Sequence, residues 1–475
     1  MFNRRMAAAV VGAFFFAPAL AQDDGIARLR EEMKALQRSY EARMREIEQR
    51  LADAEARATQ AEQKAATPPQ ASAGQAANPP AALKRGGENA FNPAISMVLQ
   101  GTYGRTKLDP ETYQIGGFIP SGGEIGPPKR SFGLAETELQ LSANIDPYFR
   151  GTAILALTPE NEVEVEEAYF QTLALPAGLS VKAGRLFSGI GYQNEIHQHA
   201  WDFQDAPLPY KAFLGGRYRQ EGVQLRWLAS TSVFLELGME LGSGDAFPGT
   251  DRNKGGANSQ ALFAHVGGDI GTDYAWRTGV SLLRTSARGR SYEDVDSLGD
   301  SVTNTFDGKT RMWVVDGVLK WAPRGDARNT NFKLQGEYFR VRQTGTLTYD
   351  DTAQAAPQFG AALTDSFRSV QSGWYAQAVW QFMPRWRVGY RYDRLNYGTV
   401  GNGIVDNGLG PTAGDFSLLA PHSPSRNTAM LDFSPSEFSR FRLQFARDDS
   451  RFGPRDNVLM LQYIHSLGAH GAHKF

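Results

Sequence analysis

From residue 94 to the C-terminus, apolar and polar residues alternate in segments of about ten, and this period of two constrains the fold more than any other feature. In AISMVLQGTY (94–103), Ile95, Met97, Leu99 and Tyr103 are apolar or aromatic, while Ser96, Gln100 and Thr102 are polar. The pattern returns at Val223/Leu225/Trp227, Leu235/Leu237/Met239/Leu241, Trp313/Val315, Trp386/Val388/Tyr390 and Leu459/Leu461/Tyr463. Successive side chains of a strand point to opposite faces, so each segment reads as a strand with one apolar face. About ten residues is the length a tilted strand needs to cross a bilayer. A soluble sandwich would use shorter strands and shelter its apolar face. Aromatic residues gather near the segment ends, as interfacial girdles require.

The connections alternate as well. NIDPY, ALPAG, AST, GTD, PRGDARN, MPR and SPSEF are short. The stretches 105–130, 191–217, 243–258, 285–309, 342–370 and 397–425 are long, with shorter partners near 159–162 and 450–455. The count predicts an all-β fold, a sixteen-stranded antiparallel transmembrane β-barrel over 90–475. An even strand number leaves both chain ends on the short-turn side, which is the periplasm in bacterial barrels.

The residues before the barrel read differently. Residues 1–21 carry Arg4 and Arg5, an apolar run and Ala19-Leu20-Ala21, the pattern of a cleaved signal peptide. Residues 22–65 predict an α-helical coiled coil: Leu29, Met33, Leu36, Tyr40, Met44, Ile47 and Leu51 follow steps of three and four, with one extra four-residue step at Tyr40–Met44. Residues 66–89 are rich in Pro and Ala and read as a semi-rigid linker. Lys and Arg number 50 against 51 Asp and Glu, so no net charge draws the chain to nucleic acid. Cysteine is absent, which excludes a disulfide framework.

Segments such as NAFNPAIS, AETELQLSANIDPYFRG and LPAGLSVKAGRLFSGIG, with the strand count, resemble the sixteen-stranded outer-membrane porins, in particular the phosphate-selective porin superfamily. The coiled coil resembles the periplasmic extension that precedes the barrel in the sucrose porin. The resemblance implies a homotrimer in the bacterial outer membrane, in contact with its lipid and lipopolysaccharide. The final Phe475 resembles the signal read by the barrel assembly machinery. The length of 90–475 leaves no room for twenty-two strands and a plug domain, which excludes a TonB-dependent receptor.

If the apolar positions face lipid, the alternate positions face the pore. These include Glu136 and Glu138, then Glu162, Glu164 and Glu166, and on later strands Arg387, Arg391, Arg440 and Arg442. Acidic positions prevail in the first half and basic positions in the second, with Arg150, Lys182 and Arg185 as early exceptions. Wrapped into a barrel, this order predicts opposed acidic and basic walls, which would set the selectivity of a channel. The alternative is cross-strand pairing that only solubilises the wall.

The third long connection, 191–217, contains NEIHQHAWDF. In the porins it resembles, this loop folds into the barrel and narrows the pore, which would bring Glu195, Asp202, Asp205, Lys211 and Arg217 to the constriction. His197 and His199, with Glu195 or Asp202, also have the ligand types of a zinc site. The GAHGAH segment near the terminus belongs at the far rim and would not share such a site. No nucleophile motif or HExxH helix points to an enzyme. The expected function is passive diffusion of small hydrophilic solutes, without a resident cofactor. The rival expectations are uptake of a divalent metal or its chelate, and a structural tether of the envelope.

Overall fold

The computed structural model describes residues 93–468, apart from 123–124, 251–254, 353–358 and 360–361. The signal segment, the coiled coil, the linker, the GAHGAH histidines and Phe475 lie outside the described residues. Seventeen strands form one sheet. β1 (Ala94–Thr106) is followed by β2 (Ser131–Leu134), β3 (Thr137–Asn144), β4 (Phe149–Leu157), β5 (Val163–Thr172) and β6 (Leu179–Phe187). Next come β7 (Arg219–Leu228), β8 (Phe234–Gly242), β9 (Ser259–Ile270), β10 (Tyr274–Val295) and β11 (Ser301–Trp321). β12 (Asn331–Tyr349), β13 (Leu363–Met383), β14 (Trp386–Asn402), β15 (Ser425–Ser436), β16 (Ser439–Asp449) and β17 (Asp456–Gly468) complete it.

Each strand pairs antiparallel with its neighbour, and β1 closes the ring against β17 from Ser96↔Gly468 to Thr106↔Val458. On its other edge β1 pairs with both β2 and β3. These two are pieces of one barrel strand, so the closed barrel has the sixteen strand positions expected from the alternation. Closure satisfies the backbone of every strand, which is what an apolar solvent demands. The outward positions are those read as lipid-facing: Val223, Leu237, Trp313, Val315, Tyr390, Leu461 and their equivalents are exposed.

The structure corrects the expected lengths of two loops. β10, β11 and β13 run for 22, 21 and 21 residues, so most of 285–309 and much of 342–370 continue as strand. Beyond the apolar belt the alternation inverts. Val302, Phe306, Leu347 and Phe367 point inward and are buried, while Arg284, Lys309 and Thr344 point outward and are exposed. These strands leave lipid for water, so their polar face turns out and their apolar face turns in. Ile119 from the β1–β2 connection, with Ile404, Phe416 and Leu418 from the β14–β15 connection, packs against that inner face.

Candidate functional site

The connection between β6 and β7 folds into the barrel. Its neck is closed by Asn194, whose amide donates to the carbonyls of Ser188 and Tyr218 (both 2.8 Å) and whose Oδ1 accepts from the Tyr218 N–H (2.7 Å). Residues 208–214 form the short helix α1, fully buried and ended by Gly215 in the left-handed conformation (φ 64°) that glycine adopts without strain. Phe213, Leu214 and Trp201 join an apolar core with Phe118 of the β1–β2 connection and the inward-facing Leu283, Met312, Val314 and Phe339. The loop is therefore a packed element rather than a flap on the surface.

Its charges are sorted against the walls. On one side His197 meets three carboxylates: Nδ1 lies 3.2 Å from Glu138 and 3.2 Å from Glu166, and Nε2 lies 3.1 Å from Glu167. His199 Nδ1 is 2.8 Å from Glu138. Arg217 pairs with Glu166, lies 3.5 Å from Glu136, and stacks over Phe187 with 4.2 Å to the ring centroid. Burial alone would lower the His197 pKa, but the carboxylates of Glu138 and Glu166 outweigh it and hold the value well above that of an ordinary imidazole.

On the opposite side the loop presents its own carboxylates. Asp202 accepts from Lys333 (2.8 Å), Arg387 (3.2 Å) and Gln377 (3.2 Å). Asp205 accepts from Lys211 (3.0 Å), Arg391 (3.2 Å), Gln444 (2.9 Å) and Arg426. Arg442 donates to the Trp201 carbonyl (2.9 Å), and Arg440 lies 3.5 Å from the same oxygen. Burial opposes the ionisation of both aspartates. Lys333 and Arg387 outweigh it at Asp202, and Arg426 and Lys211 at Asp205, so both carboxyls titrate below the usual range.

A depressed folded-state pKa gives stability that is fully present above the unfolded value, about 3.9 for Asp, and is lost as pH falls through the folded value. Resistance to urea should therefore be insensitive to these two groups from neutrality down to about pH 4 and should decline in stronger acid. Asp205→Asn should flatten the decline, and an unfolding series across pH checks it.

Between these two sides the loop is tied to the barrel by Glu337 on β12. Its carboxylate accepts from the N–H groups of Tyr192 (3.2 Å) and Gln193 (3.0 Å) and from the hydroxyls of Tyr210 (3.0 Å) and Tyr375 (2.6 Å). Gly191 lies alongside in the left-handed region (φ 67°), and a Cβ there would run into the Glu337 carboxylate and come within 2.9 Å of the Tyr210 hydroxyl. Gly191→Ala should therefore lower stability by about 1–3 kcal/mol, measurable as a reduced urea midpoint.

The residues chosen from sequence fall into three groups. Glu136, Glu138, Glu166, Asp202, Asp205, Arg387, Arg391, Arg440 and Arg442 all lie at the loop or on the wall that meets it. Glu195 is at the loop and pairs with Arg226, and Asp202 is taken by Lys333 and Arg387. The proposed metal partners of His197 and His199 are thus corrected: their carboxylates come from β3 and β5. Two early positions stand apart. Glu162 sits on the exposed β4–β5 turn and Glu164 is largely exposed, paired with Arg219. Arg185, read as pore-facing, shares the outward face of its strand with Leu179 and pairs with Glu221 at 2.6 Å.

Sequence reasoning missed Glu167, Glu337 and Arg426. A bulge between Ile154 and Leu155 shifts the register of β5, so Glu166 and Glu167 both turn inward. β5 and β6 pair over only four residues there, and Glu167 accepts the Phe187 N–H (3.1 Å). A strict period of two cannot reveal a bulge. Glu337 did carry a signal, as a carboxylate on the inward parity of β12. The basic residues of β14 and β16 also have acidic neighbours on the strands: Arg391–Asp393, Arg387–Asp432 and Arg442–Asp432 pair there.

No protein-family profile matches the chain. Among solved structures, a loop-deleted OmpT, an outer membrane protein of Vibrio cholerae, aligns with a TM-score of 0.49 at 10% identity, covering 79% of this chain and 99% of that one. The outer membrane channel DcaP of Acinetobacter baumannii aligns with a TM-score of 0.44 at 10% identity over 79% and 97%. The barrel described above rests on the strand pairing of this chain itself. An uncharacterised protein of Aquifex aeolicus (strain VF5) is 32% identical over 419 residues, 82% of this chain and 81% of that protein. At that identity and coverage, the chain belongs to the same family as the Aquifex aeolicus protein.

Proposed function

We propose that the protein is an outer-membrane channel through which small hydrophilic solutes diffuse passively, with the 188–218 connection as its constriction. The observation that carries this reading is the electrostatic sorting of the loop. Arg217 and the two histidines meet the acidic residues of β3 and β5, whereas Asp202 and Asp205 meet basic residues of β12, β14 and β15. A loop fixed in this way divides the lumen, and a solute passing it meets charge of both signs across a short distance. Such a transverse field orients polar solutes and sets selectivity. The assembly proposed is a homotrimer with its coiled coil in the periplasm.

Single-channel recording of the refolded protein in a planar bilayer tests the reading. Openings in steps of three, with ion selectivity altered by Arg387→Gln, are the expected result. Silence in the bilayer would overturn it and favour the envelope tether.

One observation favours a second reading, passage of a divalent metal. Ligand atoms of Glu138, Glu166 and His197 all lie within 4.8 Å of one another, with both carboxylates buried. These donors suit zinc. Block of the current by micromolar zinc, abolished in His197→Ala/His199→Ala, would support metal passage, whereas a current indifferent to zinc leaves the histidines as loop anchors.

A further inference from the structure

The outer wall carries a charge pattern that the channel does not use. On β10, β11 and β12, Arg284, Arg311 and Arg342 stand directly opposite one another across the sheet (Arg284↔Arg311, Arg311↔Arg342). All three are exposed and share the outward parity of Val280, Trp313 and Tyr338. Lys309 and Arg340 flank the row on the same face, and Arg368 adjoins it on β13 opposite Thr344. Like charges placed directly opposite are destabilising. Here three are aligned, and among the described residues none of the six has a carboxylate partner. The near carboxylate on this face, Asp307, accepts the Gly289 N–H instead (2.7 Å).

The height of the row is also defined. Arg284 lies about ten residues along β10 from the short β9–β10 turn, and Arg311 about as far along β11 from the β11–β12 turn. At about 3.4 Å per residue and a tilt of about 40°, this is about 25 Å above the short-turn rim, the height of an apolar band. Directly below are Leu282 and Trp313, beside Arg340, and the next level down is Val280, Val315 and Tyr338, an aromatic and aliphatic belt. Directly above are Ser286, Thr344 and Thr346. The cations therefore sit at head-group level on the long-loop side. A depression of about 540 Å³ lies among them, lined by Gln260, Arg284, Lys309, Arg311, Arg342 and Thr344.

We infer that this row is a binding site for the phosphorylated head group of an outer-leaflet glycolipid, with Arg284, Arg311 and Arg342 gripping its phosphates. Guanidinium groups bind phosphate oxygens in bidentate fashion, and a dianionic head group would turn cross-strand repulsion into a bridge. The belt below places the acyl chains. Elsewhere on the outer wall, among the described residues, basic side chains include Arg105 on β1 and Arg447 on β16, which stand far from this row. The inference rests on the outer-membrane placement proposed above but not on conduction through the lumen.

The test uses the full-length protein purified in neutral detergent, with bis-phosphorylated lipid A as probe. Native mass spectrometry should show one lipid retained per chain, and the thermal unfolding midpoint should rise on its addition, since a ligand that binds only the folded state stabilises it. Arg284→Gln/Arg311→Gln/Arg342→Gln should fold, because it removes repulsion, and should lose at least tenfold in lipid affinity together with the shift in midpoint. Arg105→Gln/Arg447→Gln should bind as the parent does. Equal binding of dephosphorylated lipid A, or undiminished binding by the triple variant, would overturn the assignment. Complete displacement by inorganic phosphate at the lipid's own concentration would overturn it in favour of a free-anion site. Bilayer conductance of the same triple variant should be unchanged, which separates failure here from failure of the channel reading.

Discussion

Asp205→Ala is expected to release the constriction and to weaken the barrel by about 3–5 kcal/mol, the cost of removing one partner from a buried ionic network. The Asp205 carboxylate holds Lys211 of its own loop together with Arg391 on β14 and Arg426 on β15. All three cations are almost completely buried, so each depends on its counter-charge. Arg391 keeps Asp393 and Arg426 keeps Asp448, which limits the loss. Lys211 loses its one paired carboxylate among the described residues and keeps the Tyr113 ring, 5.5 Å from its ammonium, and the more distant charge of Asp448. The variant should therefore combine a lower urea midpoint with a several-fold larger single-channel conductance. Asp205→Asn, which preserves shape and one acceptor, should fall between. Parental conductance in Asp205→Ala would show that the loop does not limit the passage.

Glu337→Leu is expected to be at least as damaging, through a different physical route. The side chain brings together four donors, two backbone N–H groups of the loop and the hydroxyls of Tyr210 and Tyr375. Leucine fills similar volume but leaves the two N–H groups and the Tyr210 hydroxyl without the carboxylate, at about 1–3 kcal/mol each. The Tyr375 hydroxyl keeps Gln193 Oε1 at 3.3 Å, so the total is at least about 3 kcal/mol. Glu337→Gln keeps the carbonyl acceptor and should lose about half as much. Urea unfolding followed by tryptophan fluorescence gives the ranking. Equal stability of the Leu and Gln variants would mean that packing, not hydrogen bonding, ties the loop to β12.

These two residues differ in how far they could be read from the sequence. Asp205 stood out because a polar run of nearly thirty residues between strands attracts attention, and its resemblance to an inward loop gave it a place. Glu337 lay in a regular strand, where one inward carboxylate among many polar neighbours carries no mark of its partners. The histidines show the same division. Their ligand character is local chemistry, legible at once, but the nearest carboxylates in sequence, Glu195 and Asp202, are claimed by Arg226 and Lys333. The carboxylates they meet come from residues about 30 and 60 positions away.

The alternation by itself determined the barrel, its strand number, its lipid face and the side on which its long loops lie. Those properties follow from a period of two and from the need to pair every backbone group in an apolar solvent, and both are written along the chain. Only the tertiary structure decided the inverted alternation above the membrane, the bulge that turns Glu166 and Glu167 inward together, the sorting of the loop between two walls and the row of arginines across β10, β11 and β12. Each depends on register between strands distant in sequence. A shift of one residue exchanges the two faces of a strand, and no pattern within a single strand fixes what lies opposite.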